Sequence, residues 1–584
     1  MLLHLFCVAL TVIPQPVAVR ESCGMTTNLS VHYVSDSSVA REGYRLTIAA
    51  SGTEIASADD AGRFYADQTL AQLTKEGTRP CLFIEDAPAY GWRGVLLDES
   101  RHFFGKRVVK RTLDLMARYK LNRFHWHLTD DQGWRIDVKG YPELIRYGAV
   151  RSASPLRGAH PKKGASQGLD GTRYGPYFYT EADLREIVDY AAARHIEIVP
   201  EIDMPGHMFA ALASYPEFAC CPENLSERNP RIVWGVEEEV LCLGNDLALK
   251  FVDDVIDYVC RVFPGETIHL GGDECPKVRW RRCSKCQARA KAENLQDTAA
   301  LQSWFIGRMS RRLSAHGKRM IGWDECLSEG APSDIGIMHW RSWFPDGDTN
   351  GVSPGAAAAL GHDLVMAPVQ FCYLTGSQGV EDDPFHPCGS CLSLATCYLF
   401  NPIARVPLAF QNRVKGGQAC LWTEHILNEY DLFWQLWPRG MALAEALWTG
   451  SHRSGYADFK RRAMVHFHQL RSEGVNVAEI PEEPLVFRVR RTRETGRVSV
   501  MGGQRYRLTF SSDRKVSVRV RFFGLGGVAV EPSEVWTTSA KKRHEYVFVV
   551  PCSANALQVG VESPQESEIY DLQLDERPLS GFEK

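Results

Sequence analysis

Residues 108–130 read VVKRTLDLMARYKLNRFHWHLTD, in which a helical pattern passes directly into a short apolar run. The apolar face of the predicted helix is formed by Val108, Thr112, Leu115, Met116 and Tyr119. These positions lie mostly three or four residues apart, which is the spacing of an amphipathic helix. The run RFHWHL at 123–128 has the length and composition of a buried strand, and polar residues follow it. A helix followed by such a strand is the repeating unit of a parallel α/β sheet.

The same alternation of strand-like runs and amphipathic helices continues from Trp92 to about Trp448. The candidate strands are Gly94–Leu97, Arg123–Leu128, Glu197–Glu201, Thr267–Leu270, Arg319–Gly322, Ile335–His339, Asp363–Ala367 and Val414–Leu421. Eight such units predict a (β/α)8 TIM barrel. An open doubly wound sheet is the competing layout, but no G-x-G-x-x-G motif follows an early strand.

Shorter regions flank the predicted barrel, which takes residues 89–475. Residues 11–88 combine a strand pattern at Tyr44–Ile48 with helical periodicity at Ala61–Leu73, and they predict a small α+β domain. A helix is expected over Tyr456–Ser472, and residues 484–584 then alternate in the way of a β-sandwich-like domain. The fold class is therefore α/β, with a small domain on each side of the barrel. Packing against the barrel is the favoured role of the tail, with carbohydrate binding as the alternative.

The charge balance excludes some classes of function. The chain has 67 Lys and Arg against 71 Asp and Glu, a net charge of -4, which does not indicate a nucleic-acid surface. No apolar stretch of about 20 residues predicts an integral membrane segment. Met1–Ile13 is apolar but carries no Lys or Arg. We expect export to the periplasm, the cell surface or the medium, and the oligomeric state stays open.

The 17 cysteines are an odd number, so at least one thiol lacks an intramolecular partner. Two C-x-x-C pairs, Cys283 with Cys286 and Cys388 with Cys391, would make a zinc site if the fold joined them. Their long separation favours local disulfides or free thiols instead. No metal and no cofactor is therefore assigned to the protein.

Polar residues follow the first four predicted strands, at the end of a barrel where active sites are built. Arg93 opens the first strand and Asp98 follows it; the next three end in HWHLTDD at 125–131, EIDMPGH at 201–207 and HLGGDE at 269–274. The adjacent pair Asp273 and Glu274 is the central candidate. An isolated pair of this kind would more often cap a helix, but the surrounding polar residues favour catalysis.

Aromatic residues follow the later strands. They are Trp323, Trp340, Tyr373 and Trp422, with Glu424 beside the last. Each ring alone is more often part of a hydrophobic core, but four at one end of the barrel form a box. Such a box suits an apolar group such as an acetamido methyl, and Arg93 with Glu424 is positioned to hold sugar hydroxyls.

Five strings together resemble glycoside hydrolase family 20, and they occur in that family's order. They are RGVLLD at 93–98 with SRH at 100–102, HWHLTDDQGWR at 125–135, VPEIDMPGH at 199–207, HLGGDE at 269–274 and LWTE at 421–424. The resemblance covers about Trp92 to Trp448, and residues 11–87 are similar to the family's N-terminal domain. It does not cover the tail from Pro484.

The resemblance implies a retaining exo-β-N-acetylhexosaminidase that removes terminal β-GlcNAc or β-GalNAc by substrate-assisted catalysis. The substrate's own acetamido oxygen would attack the anomeric carbon, giving an oxazolinium ion. Glu274 would act as acid and base, Asp273 would orient the acetamido group, and Tyr373 would bind its oxygen. The tryptophans would wall the methyl pocket, while Arg93 and Glu424 hold hydroxyls. Asp130 and His207 would line the substrate site and, with Asp203, support Glu274, whose protonation needs a pKa raised by neighbouring charge and partial burial.

One departure from the family pattern affects sugar specificity. Tyr-x-Asp is frequent in the family, but this chain has Thr375 in place of the acid, and Asp382 is a candidate substitute. Two other functions stay open. His125, His127, His207 and Asp273 could ligate a metal in an amidohydrolase, which would leave Glu274 and the aromatic box unexplained. A non-catalytic glycan-binding barrel is the other alternative.

Overall fold

The computed structural model describes residues 10–480 with several gaps, and strand segments beyond them. The gaps are 163, 165, 328–331, 342–351, 379–382 and 386–391. The described segments beyond residue 480 are 487–489, 492–494, 498–499, 505–512, 516–523, 529–537, 542–549, 556–562 and 567–577. None of the described helices combines the length and hydropathy that would let it cross a membrane.

The N-terminal region forms a five-stranded sheet with one helix packed on it. Its strands are β1 (Ala18–Thr26), β2 (Val31–Ser35), β3 (Tyr44–Ala49), β4 (Gly52–Ser57) and β5 (Arg79–Asp86), in the order β1-β5-β3-β4-β2. Helix α1 (Asp60–Leu73) begins where the Asp59 side chain accepts a hydrogen bond from the amide of Gly62. The predicted strand and helix of this α+β domain are confirmed.

Eight parallel strands close into a barrel, as the sequence predicts. They are β6 (Trp92–Asp98), β7 (Arg123–Asp130), β9 (Glu197–Ile202), β10 (Thr267–His269), β11 (Arg319–Trp323), β12 (Gly336–His339), β13 (Leu364–Met366) and β14 (Val414–Leu421). Closure comes from β6, which pairs with both β14 and β7. The short β8 (Gly133–Trp134) folds back on β7. Each strand overlaps its predicted range.

Helices connect the barrel strands, and three more of the described helices follow the last strand. They are α2 (Gly105–Arg118), α3 (Glu181–Ala192), α4 (Phe209–Ser214), α5 (Asp246–Val262), α6 (Val278–Arg282), α7 (Ser284–Ala292), α8 (Leu301–Ala315), α9 (Pro354–Ala359), α10 (Val369–Cys372), α11 (Leu394–Tyr398), α12 (Glu429–Leu436), α13 (Arg439–Trp448) and α14 (Tyr456–Ser472). The apolar face predicted for residues 108–119 is buried in α2. Helix α14 has the bounds that the sequence predicts.

Buried polar contacts join the N-terminal sheet to the barrel. Lys120 Nζ donates to Asp86 Oδ2 at 3.0 Å, and neither side chain is exposed. The indole of Trp448 also donates to the Asp86 carboxylate, at 3.0 Å. A pair of buried opposite charges is stabilising only while both partners are present. The two regions are therefore held together by charge as well as by apolar packing.

The C-terminal strands form two antiparallel sheets. The strands are β15 (Phe487–Val489), β16 (Thr492–Glu494), β17 (Val498–Ser499), β18 (Arg505–Ser512), β19 (Ser517–Phe523), β20 (Ala529–Thr537), β21 (Lys542–Val549), β22 (Ala556–Glu562) and β23 (Ser567–Arg577). One sheet has the order β15-β23-β18-β21 and the other β16-β22-β19-β20, with β17 on β22. Alternate residues Val518, Val520 and Phe522 are buried, as in one inner face of a sandwich. The predicted β-rich architecture of the tail is confirmed.

Candidate active site

The loop after β10 has an unusual backbone that brings Asp273 and Glu274 against the loop after β9. Gly271 and Gly272 have φ values of 64° and 94°, and Glu274 has a φ of 42°. The amide of Gly272 donates to Asp203 Oδ1 at 3.1 Å. A Cβ atom on Gly271 would overlap the same carboxylate. Glycine is therefore required here, both for the left-handed backbone and for the close approach to Asp203.

His207 lies between the catalytic candidates and a buried carboxylate. Its Nε2 is 3.7 Å from Asp273 Oδ2 and 3.5 Å from Glu274 Oε2, while its Nδ1 is 3.2 Å from Asp130 Oδ1. Burial alone would lower the pKa of His207, but the charge of Asp130 and the hydrogen bonds to its neighbours raise it well above the usual range. His207 is therefore a cation at neutral pH.

The two acids next to this cation have pKa values that are shifted in opposite directions. The protonated His207 ring, whose Nε2 lies 3.5 Å from Glu274 Oε2, holds the pKa of that carboxyl below the ordinary value, and the opposing effect of burial is smaller. Burial, with the nearby charge of Asp203, raises the pKa of Asp273 well above its ordinary value. The Glu274 side chain is 42% exposed and that of Asp273 14%. The predicted elevation of the Glu274 pKa is therefore wrong for this arrangement, because the neighbouring charge is positive.

The expectation that Arg93 holds the substrate is also wrong. Arg93 is the second residue of β6, at the opposite end of the barrel from Glu274, and its side chain is completely buried. Its guanidinium forms an ion pair with Glu42 at 2.7 Å and donates to the backbone oxygens of Lys120 and Tyr90. Arg93 therefore joins the barrel to the N-terminal domain.

Arg101 occupies the site instead. It follows β6 at the end where the catalytic loops lie, and it forms ion pairs with Asp130 at 2.7 Å and with Asp98 at 3.2 Å. Its guanidinium lies 5.2 Å from the ring centroid of Trp422. The charge of Arg101 also acts on Glu424, whose pKa is nevertheless raised by burial. Glu424 thus has Arg101, rather than Arg93, as its neighbouring cation.

The four predicted aromatic residues do come together. Trp422 lies 5.7 Å from Trp323 and 6.3 Å from Tyr373 between ring centroids. Trp340 stacks on Tyr373 at 6.0 Å with an interplanar angle of 20°. The rings pack against an apolar cluster inside the barrel. They form one aromatic wall, which confirms the predicted grouping, and the charge of Asp273 acts on Tyr373 within it.

Two glutamates that the sequence interpretation did not single out hold this wall. Glu201 accepts a hydrogen bond from the Trp323 indole at 2.8 Å, and Glu325 accepts one from the Trp340 indole at 3.0 Å. Burial and the charge of Asp324 raise the pKa of Glu325 to about 8. The signal for Glu201 was its place at the end of β9, where polar residues face the site.

Glu201 is also the centre of a buried histidine layer. His127 lies 2.6 Å from it, and His125 and His269 each lie 3.0 Å from it. Among the described residues, no metal-compatible cluster unites His125 and His127 with His207 and Asp273. The ligand set of the amidohydrolase alternative is therefore not brought together.

The loop that bears on sugar specificity is partly described. The backbone oxygen of Thr375 accepts a hydrogen bond from Gln435 at 3.2 Å. Asp382 lies outside the described residues. Nearby Asp383 is buried and accepts a hydrogen bond from Ser377 at 3.0 Å, so it supports the loop from within.

Comparison with known families agrees with this geometry. The model of glycosyl hydrolase family 20, catalytic domain, matches residues 90–451, and that of domain 2 of the same family matches residues 9–87. The chain belongs to glycosyl hydrolase family 20. The two matches of this family cover the N-terminal domain and the barrel.

Family 20 relatives with curated names include two bacterial proteins. A beta-hexosaminidase of Porphyromonas gingivalis is 41% identical over 459 residues, which is 76% of this chain and 55% of that protein. A beta-hexosaminidase of Akkermansia muciniphila is 32% identical over 469 residues, 78% of this chain and 89% of that protein. This chain thus spans about half the length of the first relative and most of the second.

Solved structures of family 20 share the fold. A crystal structure of a beta-N-acetylhexosaminidase superposes with a TM-score of 0.71 at 29% identity, covering 81% of this chain and 98% of that one. An exo beta-N-acetylglucosaminidase from Vibrio harveyi, solved with N-acetylglucosamine, gives a TM-score of 0.70 at 29% identity. It covers 81% of this chain and 78% of its own.

Proposed function

We propose that the protein is a retaining exo-β-N-acetylhexosaminidase, which removes terminal non-reducing β-GlcNAc or β-GalNAc from glycans by substrate-assisted catalysis. One observation carries the proposal. Oδ1 of Asp273 is a buried acceptor without a hydrogen-bond partner among the described residues, and Asp273 is near enough to Tyr373 of the aromatic wall for its charge to act on that phenol. A buried acceptor left unpaired is costly, so a donor from the substrate is expected there. An acetamido group supplies an N–H for this acceptor and a methyl for the wall.

In the first step the acetamido oxygen forms a bond to the anomeric carbon while the glycosidic bond breaks. Glu274 gives its proton to the departing oxygen, and Asp273 stabilises the positive charge that develops on the acetamido nitrogen. Attack by the substrate itself makes this step intramolecular, which removes the need for an enzyme nucleophile. Water then adds to the anomeric carbon, Glu274 takes a proton from it, and the oxazolinium ring opens with retention.

The proton that Glu274 must donate is supplied by the acidic cluster. The raised pKa of Asp273 and the lowered pKa of Glu274 favour a proton on Asp273 before substrate binds. An acetamido N–H that donates to Asp273 favours the ionised form of this carboxyl. The proton released from Asp273 is then available to Glu274, and the His207 ring lies within 3.7 Å of both carboxylates. Substrate binding thus prepares the acid without net proton uptake.

Arg101 and Glu424 are the polar pair best placed to bind hydroxyls of the terminal sugar. Arg101 is held by Asp98 and Asp130, so its position is fixed before binding. Thr375 in place of the acid that is frequent in the family bears on the choice between gluco and galacto configurations. Export from the cytoplasm stays a prediction.

The test is release of p-nitrophenol from the β-GlcNAc and β-GalNAc glycosides. Activity with either substrate, competitive inhibition by a thiazoline analogue of the bicyclic intermediate, and a strong rate decrease with N-fluoroacetyl substrates support the proposal. Fluorination matters because it withdraws electrons from the attacking oxygen. Folded protein that binds chitobiose but releases no sugar would favour the glycan-binding alternative. Hydrolysis that is insensitive to fluorination would contradict substrate assistance.

A further inference from the structure

Four cysteine sulfurs converge outside the active site. Sγ of Cys242 lies 3.7 Å from that of Cys283 and 3.7 Å from that of Cys286, and Cys220 lies 3.7 Å from Cys286. All four Sγ atoms lie within 4.8 Å of one another. Cys242 and Cys286 are buried, and the other two are half-buried.

The spacing of these sulfurs fits a metal better than disulfides. A disulfide requires about 2.05 Å between sulfurs. Four thiolates at about 2.3 Å from a tetrahedral zinc ion lie about 3.8 Å apart. The observed 3.7 Å separations agree with the second geometry, and they link the four sulfurs into one group rather than two pairs.

The backbone around the cluster is shaped to bring the thiols together. A Cβ atom on Gly244 would overlap the backbone of Lys285 and Cys286, so only glycine allows the Cys242 segment to approach so closely. The bridge between Ala219 and Leu241 sets Cys220 beside Cys242. The indole of Trp280 donates to the backbone oxygen of Leu241 at 2.9 Å and joins α6 to the same segment.

We propose that Cys220, Cys242, Cys283 and Cys286 bind one structural Zn²⁺ ion. Four thiolates complete a tetrahedral shell, so no position is left for water or substrate, which is the mark of a structural site. Cys283 and Cys286 keep the C-x-x-C spacing noted in the sequence. Their partners are Cys220 and Cys242, whereas Cys388 and Cys391 lie outside the described residues. The sequence-based assignment of no metal is replaced by this proposal.

The zinc ion fixes the two loops that carry the catalytic candidates. Cys220 and Cys242 belong to the excursion after β9, downstream of His207, and Cys283 and Cys286 follow Glu274 in the connection after β10. Between these loops, Arg279 also forms an ion pair with Glu239 at 2.7 Å. The distance between His207 and Glu274 depends on the relative position of these two loops. The zinc site therefore helps to hold His207 and Glu274 in place, although it lies outside the active site.

The first experiment is elemental analysis of the native protein, purified without chelators or added metals. Zinc at one equivalent per chain is expected, released in proportion to thiol modification by an organomercurial. Replacement by Co²⁺ should give the intense near-ultraviolet and visible bands of tetrahedral cobalt thiolate. Metal-free protein, iron in place of zinc, or a mass showing two disulfides among these four cysteines would overturn the proposal.

Variants provide the second experiment. Cys220→Ser and Cys286→Ser should each lose most of the bound zinc and show a lower melting temperature, whereas Cys260→Ser, a half-buried cysteine of α5, should retain both. Cys220→His keeps a zinc ligand and should retain more metal than Cys220→Ser. Full zinc content in both serine variants would rule out this site. Because metal content is measured directly, the result does not depend on knowing the substrate.

Discussion

Nε2 of His207 lies 3.5 Å from Oε2 of Glu274, and Nδ1 of the same ring faces Asp130 at 3.2 Å. The ring thus transmits the effect of a buried carboxylate to the acid that is expected to protonate the leaving group. Since His207 stays protonated at neutral pH, it favours the ionised form of Glu274. Replacing the His207 ring should therefore raise the pKa of Glu274.

We expect His207→Asn to move the alkaline limb of the kcat/KM profile to higher pH. Without the adjacent cation, the pKa values of both Asp273 and Glu274 rise, so the proton that this pair holds is retained to higher pH. The rate at the optimum should fall because Glu274 loses a positioning contact. The measurement is a pH series of initial rates. His195→Asn is the matched control, since His195 has a similar left-handed φ of 54° but precedes β9, at the opposite end of the strand from the catalytic loops. An unshifted alkaline limb would contradict the coupling.

Stability should depend on the protonation of His127. Burial lowers the pKa of this ring, but Glu201 and Asp130 raise it to about 10 from an ordinary 6.5. A raised pKa means that the folded state binds the proton more tightly, so the stabilisation is complete below about pH 6.5 and is lost as pH rises toward 10. Melting temperatures of the wild type and His127→Gln should therefore converge over this window. A difference in melting temperature that stays constant between about pH 6.5 and 10 would show that the charge of His127 does not contribute to stability.

Arg93, within β6, and Arg101, which follows this strand, should give different phenotypes when replaced. Arg101→Gln should lower kcat/KM about tenfold to a hundredfold, as expected for loss of a charge-assisted hydrogen bond of about 1.5–3 kcal/mol. Arg93→Gln leaves Glu42 without its partner, and it should reduce the free energy of unfolding by about 3 kcal/mol. Arg101→Gln should also be less stable to urea, because it leaves buried Asp98 and Asp130 without their partner, so the catalytic defect measured by steady-state kinetics on folded protein is what distinguishes the two variants. A catalytic defect in stably folded Arg93→Gln would support the prediction from sequence that Arg93 binds the substrate.

Glu274→Gln should lose more activity on substrates whose leaving group needs protonation than on substrates whose leaving group does not. We expect kcat/KM for p-nitrophenyl glycosides to fall about 10²–10⁴-fold. The loss should be smaller with a dinitrophenyl leaving group, which departs without full protonation. Glu238→Gln, an exposed side chain in an ion pair with Arg279, is the control. An equal loss with both leaving groups would assign Glu274 another role.

The sequence predicted the barrel because its signal is local. Each strand is a short apolar run next to an amphipathic helix, and the closed sheet follows from the number of such units. The acidic pair and the aromatic wall were predicted for the same reason, since residues that follow parallel strands meet at one end. Arg93 was misassigned because it opens its strand and so faces the opposite end. Arg101 comes after the end of the same strand, so it lies at the end of the barrel where the active site is built.

Other features depend on contacts that no local pattern encodes. The pKa of Glu274 depends on His207, which belongs to a different strand unit and is held there by Asp130. The partners of Cys283 and Cys286 could not be chosen from spacing, because Cys220 and Cys242 reach them through an irregular excursion. Gly244 was informative only once its neighbours were known.

The buried carboxylate of Asp86 has a consequence for any attempt to separate the N-terminal domain from the barrel. The two family matches meet between residues 87 and 90, just after Asp86 and before the barrel cations that it and Glu42 neutralise. A barrel expressed from residue 89 would contain Lys120 and Arg93 without their counter-ions, and it should be recovered as inclusion bodies. The evolutionary boundary is therefore not a boundary for folding. Chimeras made from two relatives should therefore take the N-terminal domain, with Asp86 and Glu42, and the barrel, with Lys120 and Arg93, from the same parent.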